Sequence, residues 1–317
     1  MHMADALVSA PVAITSAVAA ASLIAVASNK VKHSQRDDII PLMGMMGAFV
    51  FAAQMINFAI PGTGSSGHII GGVLLAAILG PWAAFLALSS VIIIQCLIFA
   101  DGGLMALGCN IINMAAVSTL ISYPLVYRPI ARKSLSPFRL MTAAIAASVI
   151  ALQLGALGVS LQTELSGITA LPASLFIGFM LPIHLAIGAV EGLATGAVLV
   201  FLAKYRPDTL FAYSDISKPK GKTKLMSVIG IFAAVTLFLS LGFSWLASDL
   251  PDGLEWSVEK TSGINDLVSI DIPTAVMPDY NASFAGIVGA LIVMTLLWAF
   301  SSLLIGKLAK SKRQIRG

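Results

Sequence analysis

The first two residues, Met1 and His2, bring an amine, a backbone nitrogen and an imidazole together within one short stretch of chain. These three nitrogens can close two fused chelate rings around a single transition-metal ion, leaving a fourth position for a second histidine. Only His33, His68 and His184 remain to supply it. A bulky His at position 2 obstructs removal of an initiator Met, so the ligand-bearing terminus is expected to persist.

His68 follows Pro61-Gly-Thr-Gly-Ser-Ser66-Gly67, a Gly-Ser segment that can place the ring without a helix dictating its direction. His33 sits among Lys32, Ser34, Gln35 and Arg36 and reads as a solvated residue. Asp101 opens a segment that carries Asn110 and Asn113, three apart and therefore on one helical face. Two amides in an apolar interior are costly unless paired. They either orient a ligand's imidazole or terminal amine, with Ser66 and Asp101 as further support, or they hydrogen-bond between helices. His184 and Glu191, seven apart, share another helical face. An ionisable pair there is a candidate gate. The separation is too large for both to hold one ion, so bracing the bundle is the preferred reading.

These groups must be positioned by a membrane bundle. Hydrophobic residues make up 58% of the 317 and charged residues 11%, with a mean hydropathy of +0.93, against roughly 25% charged in a soluble domain. Lipid offers no partner to exposed backbone polar groups, so an apolar run of ~20 residues spans as a helix. Apolar runs bounded by Gly, Pro and charge predict helices near 9–29, 41–60, 67–79, 81–100, 103–127, 138–162, 173–203, 225–247 and 283–306. The third is short for a crossing. The fold class is therefore an all-α integral membrane protein with about nine transmembrane helices.

With the N-terminus outside and the C-terminus cytoplasmic, 18 of the 19 basic residues fall on inner loops and the tail, and only Lys260 falls outside. The net charge of +4 thus reflects cytoplasmic loops facing anionic lipid and says nothing of nucleic acid. The first helix lacks the basic leader of a secretory signal, its Lys and Arg coming after the apolar run, and is expected to stay as an uncleaved N-out helix. Cys96 and Cys109 read as buried inert thiols.

Three units are expected: residues 1–205, a polar linker over 206–224, and a two-helix module over 225–317 whose outer loop holds most of the outside acids. Ala13, Ala17, Ala21 and Ala25 form a small-residue stripe on the first helix. It is suited to close packing against an internal partner, or alternatively another subunit. No His-Glu-x-x-His or Gly-x-Ser-x-Gly motif is present, and Gly221-Lys222-Thr223 lacks the earlier glycine of a phosphate-binding loop. The chain is read as a non-enzyme, with ATP hydrolysis on another polypeptide.

Met1-His2-Met3-Ala-Asp-Ala-Leu, Gly67-His68, Gly80-Pro81-Trp82, Asp101-Gly102-Gly103, Gly108-Cys-Asn110-Ile-Ile-Asn113-Met114 and His184-x-x-x-Gly188-x-x-Glu191-Gly192 together resemble the CbiM/NikM substrate-binding subunits of energy-coupling-factor transporters for cobalt and nickel. The resemblance covers residues 1 to about 205. Residues 225–317, with Pro251-Asp252-Gly253-Leu254-Glu255, resemble the accessory component fused in NikMN-type proteins. It implies a metal site formed by Met1, His2 and His68, with Ni²⁺ or Co²⁺ as cargo and no organic cofactor. It also implies a transmembrane T component and two cytoplasmic ATPases as partners, in a prokaryotic cell membrane and in the service of cobalamin biosynthesis. Ala6 stands where the family usually has Gly. Four nitrogen donors favour the planar geometry of Ni²⁺ over tetrahedral Zn²⁺, and Co²⁺ stays open. The rival readings are a stand-alone carrier or channel for divalent cations and a membrane metalloenzyme or metal sensor.

Overall fold

A computed structural model describes residues 1–33, 39–211, 222–243, 247–262, 285–297 and 299. Among the described residues, five helices are long and apolar enough to cross a membrane: α1 (Ala10–Lys32), α4 (Pro81–Phe99), α5 (Leu107–Ala131), α6 (Pro137–Ser166) and α7 (Ala173–Tyr205). Between α1 and α4 lie α2 (Ile39–Gln54), a hairpin of β1 (Phe58–Ile60) and β2 (Ser65–Gly67), and α3 (Gly72–Leu79). After α7 come α8 (Lys222–Phe238), α9 (Gly253–Ser262) and α10 (Ala285–Leu297).

Local chemistry sets these ends. Pro11 near the start of α1, Pro81 of α4 and Pro137 of α6 occupy first-turn positions, where the missing N–H costs nothing. Ser136 accepts from Arg139 N to cap α6, and Gly167, at φ +60°, closes it. Thr15 and Ser22, on the uncovered side of α1, donate back to the carbonyls of Pro11 and Val18, which hides their hydroxyls from an apolar solvent.

The longest contact in the bundle is between α6 and α7. Gly188, Gly192 and Gly196, four apart on α7, face Val149, Ile145 and Met141 of α6, and a Cβ at Gly188 would stand 2.9 Å from the Val149 Cα. Membrane helices gain from such close approach through dispersion, because lipid offers no hydrophobic drive for association. Gly192→Leu is expected to push the two backbones apart and cost about 1–3 kcal/mol, measured as a lowered unfolding temperature in detergent. The C-terminal pair lies against α2: Gly47 faces Val293 and Leu297, and Phe49 meets Phe232 edge-on at 5.1 Å.

Several expectations are corrected. The helix predicted over 41–60 stops at Gln54, and that predicted over 67–79 begins only at Gly72. The intervening chain is the antiparallel hairpin, paired Phe58 with Gly67 and Ile60 with Ser65. Gly62 (φ +78°) and Gly64 (φ +75°) make its turn possible, and Thr63 braces it by donating to Ile60 O and accepting from Ser65 N. The Gly-Ser segment is thus a fixed ribbon. The long loop between the last two predicted helices carries a helix, α9, whose composition is too polar for hydropathy to reveal. Linker residues 212–221, loop residues 263–284 and the tail from 300 lie outside the described residues.

The small-residue stripe is also corrected. The inward face of α1 is Ala13, Ser16, Ala20 and Ala27, whereas Ala17, Ala21 and Ala25 are exposed beside Ile14, Val18 and Val26. Among the described residues, no internal partner covers most of the stripe.

Candidate metal centre

Residues 1–8 thread into one end of the bundle. Met1, Met3, Leu7 and Val8 are all buried, and the Met1 side chain lies against Gly155 of α6, where a Cβ would be 2.6 Å from its methyl carbon. The peptide is pinned by pairs of hydrogen bonds. Asn110 accepts from Met3 N at 2.7 Å and donates to Met3 O at 3.2 Å, Gly103 N donates to the same carbonyl, and Asp5 accepts from Ala106 N at the start of α5. Gly102, at φ +91°, lets the chain pass between His2 and the Asn110 amide.

This places the Met1 amine 3.2 Å from His68 Nε2 and 2.6 Å from the Asp252 carboxylate. The rings of His2 and His68 stack at 5.2 Å between centroids. His68 Nδ1 lies 3.2 Å from the Ile69 carbonyl, which can only accept, so Nδ1 carries the proton and Nε2 turns its lone pair to the amine. Burial, and then the neighbouring Met1 ammonium and His2, push His68 down to about 3, which keeps the ring neutral.

His2 Nδ1 meets Asp101 at 3.0 Å, while its Nε2 is buried with no hydrogen-bond partner among the described residues. Burial works against ionising Asp101. The facing His2 ring, with its hydrogen bond, then His68 and the Met1 amine, outweigh that and hold the carboxyl below the usual range. Nδ1 is the atom that closes a chelate ring with the His2 amide, so the expected three-nitrogen clamp is not closed in this arrangement. Closing it would require the ring to turn about Cβ–Cγ and release Nδ1 from Asp101.

The remaining predicted residues divide cleanly. Ser66 donates to the carbonyls of Leu250 (2.7 Å) and Pro251 (3.3 Å), so it fastens the His68 loop to the C-terminal module and does not touch the ring. Asn113 pairs through both amide atoms with Gln162 of α6, the interhelical alternative, and Gln162 carried no signal of its own in the sequence. His33 bonds Asn29 O at the exposed end of α1. His184 and Glu191 do not act as a pair. The Glu191 carboxylate accepts from Ile70 N (2.7 Å) and Gly71 N (3.1 Å), two and three residues past His68. Gln54 donates to Ile70 O and is itself bonded by Gln95. His184 bonds Met180 O and lies beneath Gly253.

The C-terminal module reaches the same spot. Ser66 N donates to Pro251 O, Ser248 N to Asn57 O and the Trp256 indole to Thr63 O, so the segment 248–256 grips β2, the turn of the hairpin and the residue that leads into β1. A cavity of about 340 Å³ opens between them, lined by Asn57, His68, Asp101, Asp249, Asp252 and Glu255. Among the described residues no three His, Cys, Asp or Glu side chains form a metal cage.

Residues 2–209 match the family model described as the cobalt uptake substrate-specific transmembrane region. The chain belongs to that family. Residues 226–306 match the PDGLE domain. A protein of Archaeoglobus fulgidus that carries the name of a fused nickel transport protein, NikMN, is 33% identical over 88% of this chain and 91% of its own. The fused nickel transport protein NikMN of Rhodobacter capsulatus is 26% identical over 99% of both. A crystal structure of a truncated transition metal transporter superposes with a TM-score of 0.57 at 31% identity, covering 65% of this chain and 99% of that one. The family member described here is accordingly a multi-pass membrane protein of the cobalt and nickel transport group, with the fused architecture.

Proposed function

We propose that the chain is the substrate-binding subunit of an energy-coupling-factor transporter that captures Ni²⁺, or Co²⁺ as second choice. The donors would be the Met1 amine, the His2 amide nitrogen and ring, and His68 Nε2. The observation that carries this is the 3.2 Å approach of the amine to a neutral His68 Nε2 in a buried site. In a planar ion with fused Met1-His2 rings, His68 takes the position beside the amine. At metal–nitrogen bonds of about 2.0 Å, two donors at right angles stand about 2.8 Å apart. The two nitrogens need close by only a few tenths of an ångström.

Charge supports the reading. A dication that displaces the His2 amide proton would be flanked by Asp101 beside one donor and Asp252 beside another, which compensates its charge away from water. Loading releases protons from the amine and the amide, so affinity rises with pH. The cavity over His68, with its carboxylates, serves as the approach for a hydrated cation. In nine crossings with the N-terminus outside, this mouth faces the exterior.

Inward delivery is assigned to a T component and two cytoplasmic ATPases. The uncovered face of α1, with Ala17, Ala21 and Ala25, is a surface on which a partner helix can pack closely. The module over 225–317 would help load the site, since its hydrogen bonds hold the His68 hairpin.

Full-length protein whose intact mass shows an unextended Met1 is expected to retain about one Ni²⁺ per chain after gel filtration, by elemental analysis. Protein that holds neither Ni²⁺ nor Co²⁺ would refute the site. Uptake that persists in cells lacking the ATPases would favour a stand-alone carrier instead.

A further inference from the structure

Asp252 stands 251 residues from Met1, in a module that the matched family region does not include, yet it makes the shortest polar contact of the amine. Its surroundings show how that is arranged. Pro251-Asp252-Gly253-Leu254-Glu255 begins α9, and Asp252 Oδ1 accepts from Leu254 N (2.8 Å) and Glu255 N (2.9 Å) while Asp252 N donates to the Glu255 carboxylate (3.1 Å). This reciprocal pair is a capping box. It fixes the Asp252 side chain through one oxygen and leaves the other, Oδ2, free to face the amine.

The cap is in turn seated. Gly253 rests on Ile187, His184 and Ile183 of α7, where a Cβ would lie 3.0 to 3.3 Å from their side-chain atoms, and Pro251 O receives Ser66 N from the hairpin that carries His68. One rigid turn thus touches the donor loop on one side and the amine on the other.

We propose that Asp252 is a positioning residue of the metal site: the capping box holds its free carboxylate oxygen so as to aim the Met1 amine at His68 Nε2. A coordinated amine keeps two N–H bonds, so one can remain on Oδ2 while the ion takes the place facing His68. Asp252 then plays for the amine the part that a carboxylate commonly plays for a coordinating imidazole, fixing its direction and raising its donor strength. The fused module in this way supplies part of the site's outer support. The inference rests on the reading of the Met1 amine as a ligand.

Asp252→Asn separates the two tasks of the side chain. Asn caps helices about as well as Asp, so its oxygen can keep the cap while its amide N–H₂ meets the amine as a second donor. In full-length protein with an unextended Met1, Ni²⁺ affinity by competition with a chromophoric chelator is expected to fall ten- to a hundredfold. The ligand-field absorption of bound Ni²⁺ should shift to longer wavelength, a change that a purely structural role would not produce, while the metal-free protein keeps its helical circular dichroism. Asp252→Ser, a capping residue too short to reach the amine, should do the same, and it decides the matter if the Asn variant fails to fold. Wild-type affinity and spectrum in the folded variants would overturn the role of Asp252 and leave Met1, His2 and His68 standing. Wild-type protein that binds no Ni²⁺ would instead remove the reading beneath it.

Discussion

Protein carrying one extra residue ahead of Met1 is expected to lose nickel and cobalt retention, and His2→Ala in the unextended chain to lose it as well. An added residue converts the amine into a peptide nitrogen and moves the chelating terminus away from His68. It also has nowhere to go, because the Met1 side chain is 3% exposed and its nitrogen is already engaged by His68 and Asp252. His2→Ala removes the ring while keeping the amine and amide in place. Apparent binding energies of about 10–16 kcal/mol for tight small-protein metal sites, shared over four donors, come to about 3 kcal/mol per donor. Each change should therefore weaken binding more than a hundredfold. Isothermal titration with Ni²⁺ and Co²⁺, beside the unfolding temperature of the metal-free protein, reads the effect. Undiminished retention in both preparations would sink the proposed donor set.

How far the sequence reaches depends on the range of the interaction. The long helices were legible because a lipid-facing segment must be apolar over its whole length, so α4, α6 and α7 follow directly from their runs. The nearness of His68 to Met1 and His2 was legible because only three histidines besides His2 exist and one follows a turn-rich segment. The hairpin was not, since three-residue strands carry too little alternation to compete with the apolar residues on either side. α9 escaped a search on hydropathy, although its signature Asp252-x-x-Glu255 is a capping box that sequence alone could have supplied.

Pairings across the fold were the least accessible. Asn113 with Gln162, Met1 with Gly155 and Met1 with Asp252 join residues between 49 and 251 positions apart. No local spacing rule links them. Glu191 shows the same limit in a milder form. Its place seven residues from His184 suggested a shared purpose for the two, yet on α7 one side chain reaches under the His68 loop and the other lies beneath α9. Helical spacing fixes a face, and the neighbours of that face fix the role.

Glu191→Gln follows from that last point and should have the second-largest effect on metal binding. The peptide of Ile70 is held from both sides within the bundle, its N–H by the Glu191 carboxylate and its carbonyl by Gln54, which Gln95 holds in turn. Gly71, at φ +75°, continues the turn into α3 and gives its N–H to the other Glu191 oxygen. His68 is two residues away and has little freedom that does not pass through this clamp. In the Gln variant one acceptor becomes a donor aimed at a buried N–H, which leaves that N–H unpaired at a cost of about 1–3 kcal/mol. The chain can recover part of this by turning the peptide and withdrawing His68 Nε2 from the amine. Nickel affinity is expected to fall ten- to a hundredfold, as for other residues that support ligands from outside, while circular dichroism stays unchanged. Gly71→Ala disturbs the same turn from the opposite side, since its Cβ would stand 2.9 Å from both Val50 methyls, and should weaken binding in the same direction. Wild-type nickel affinity in both folded variants would mean that the buried carboxylate braces α7 against α3 and has no part in holding the donor ring.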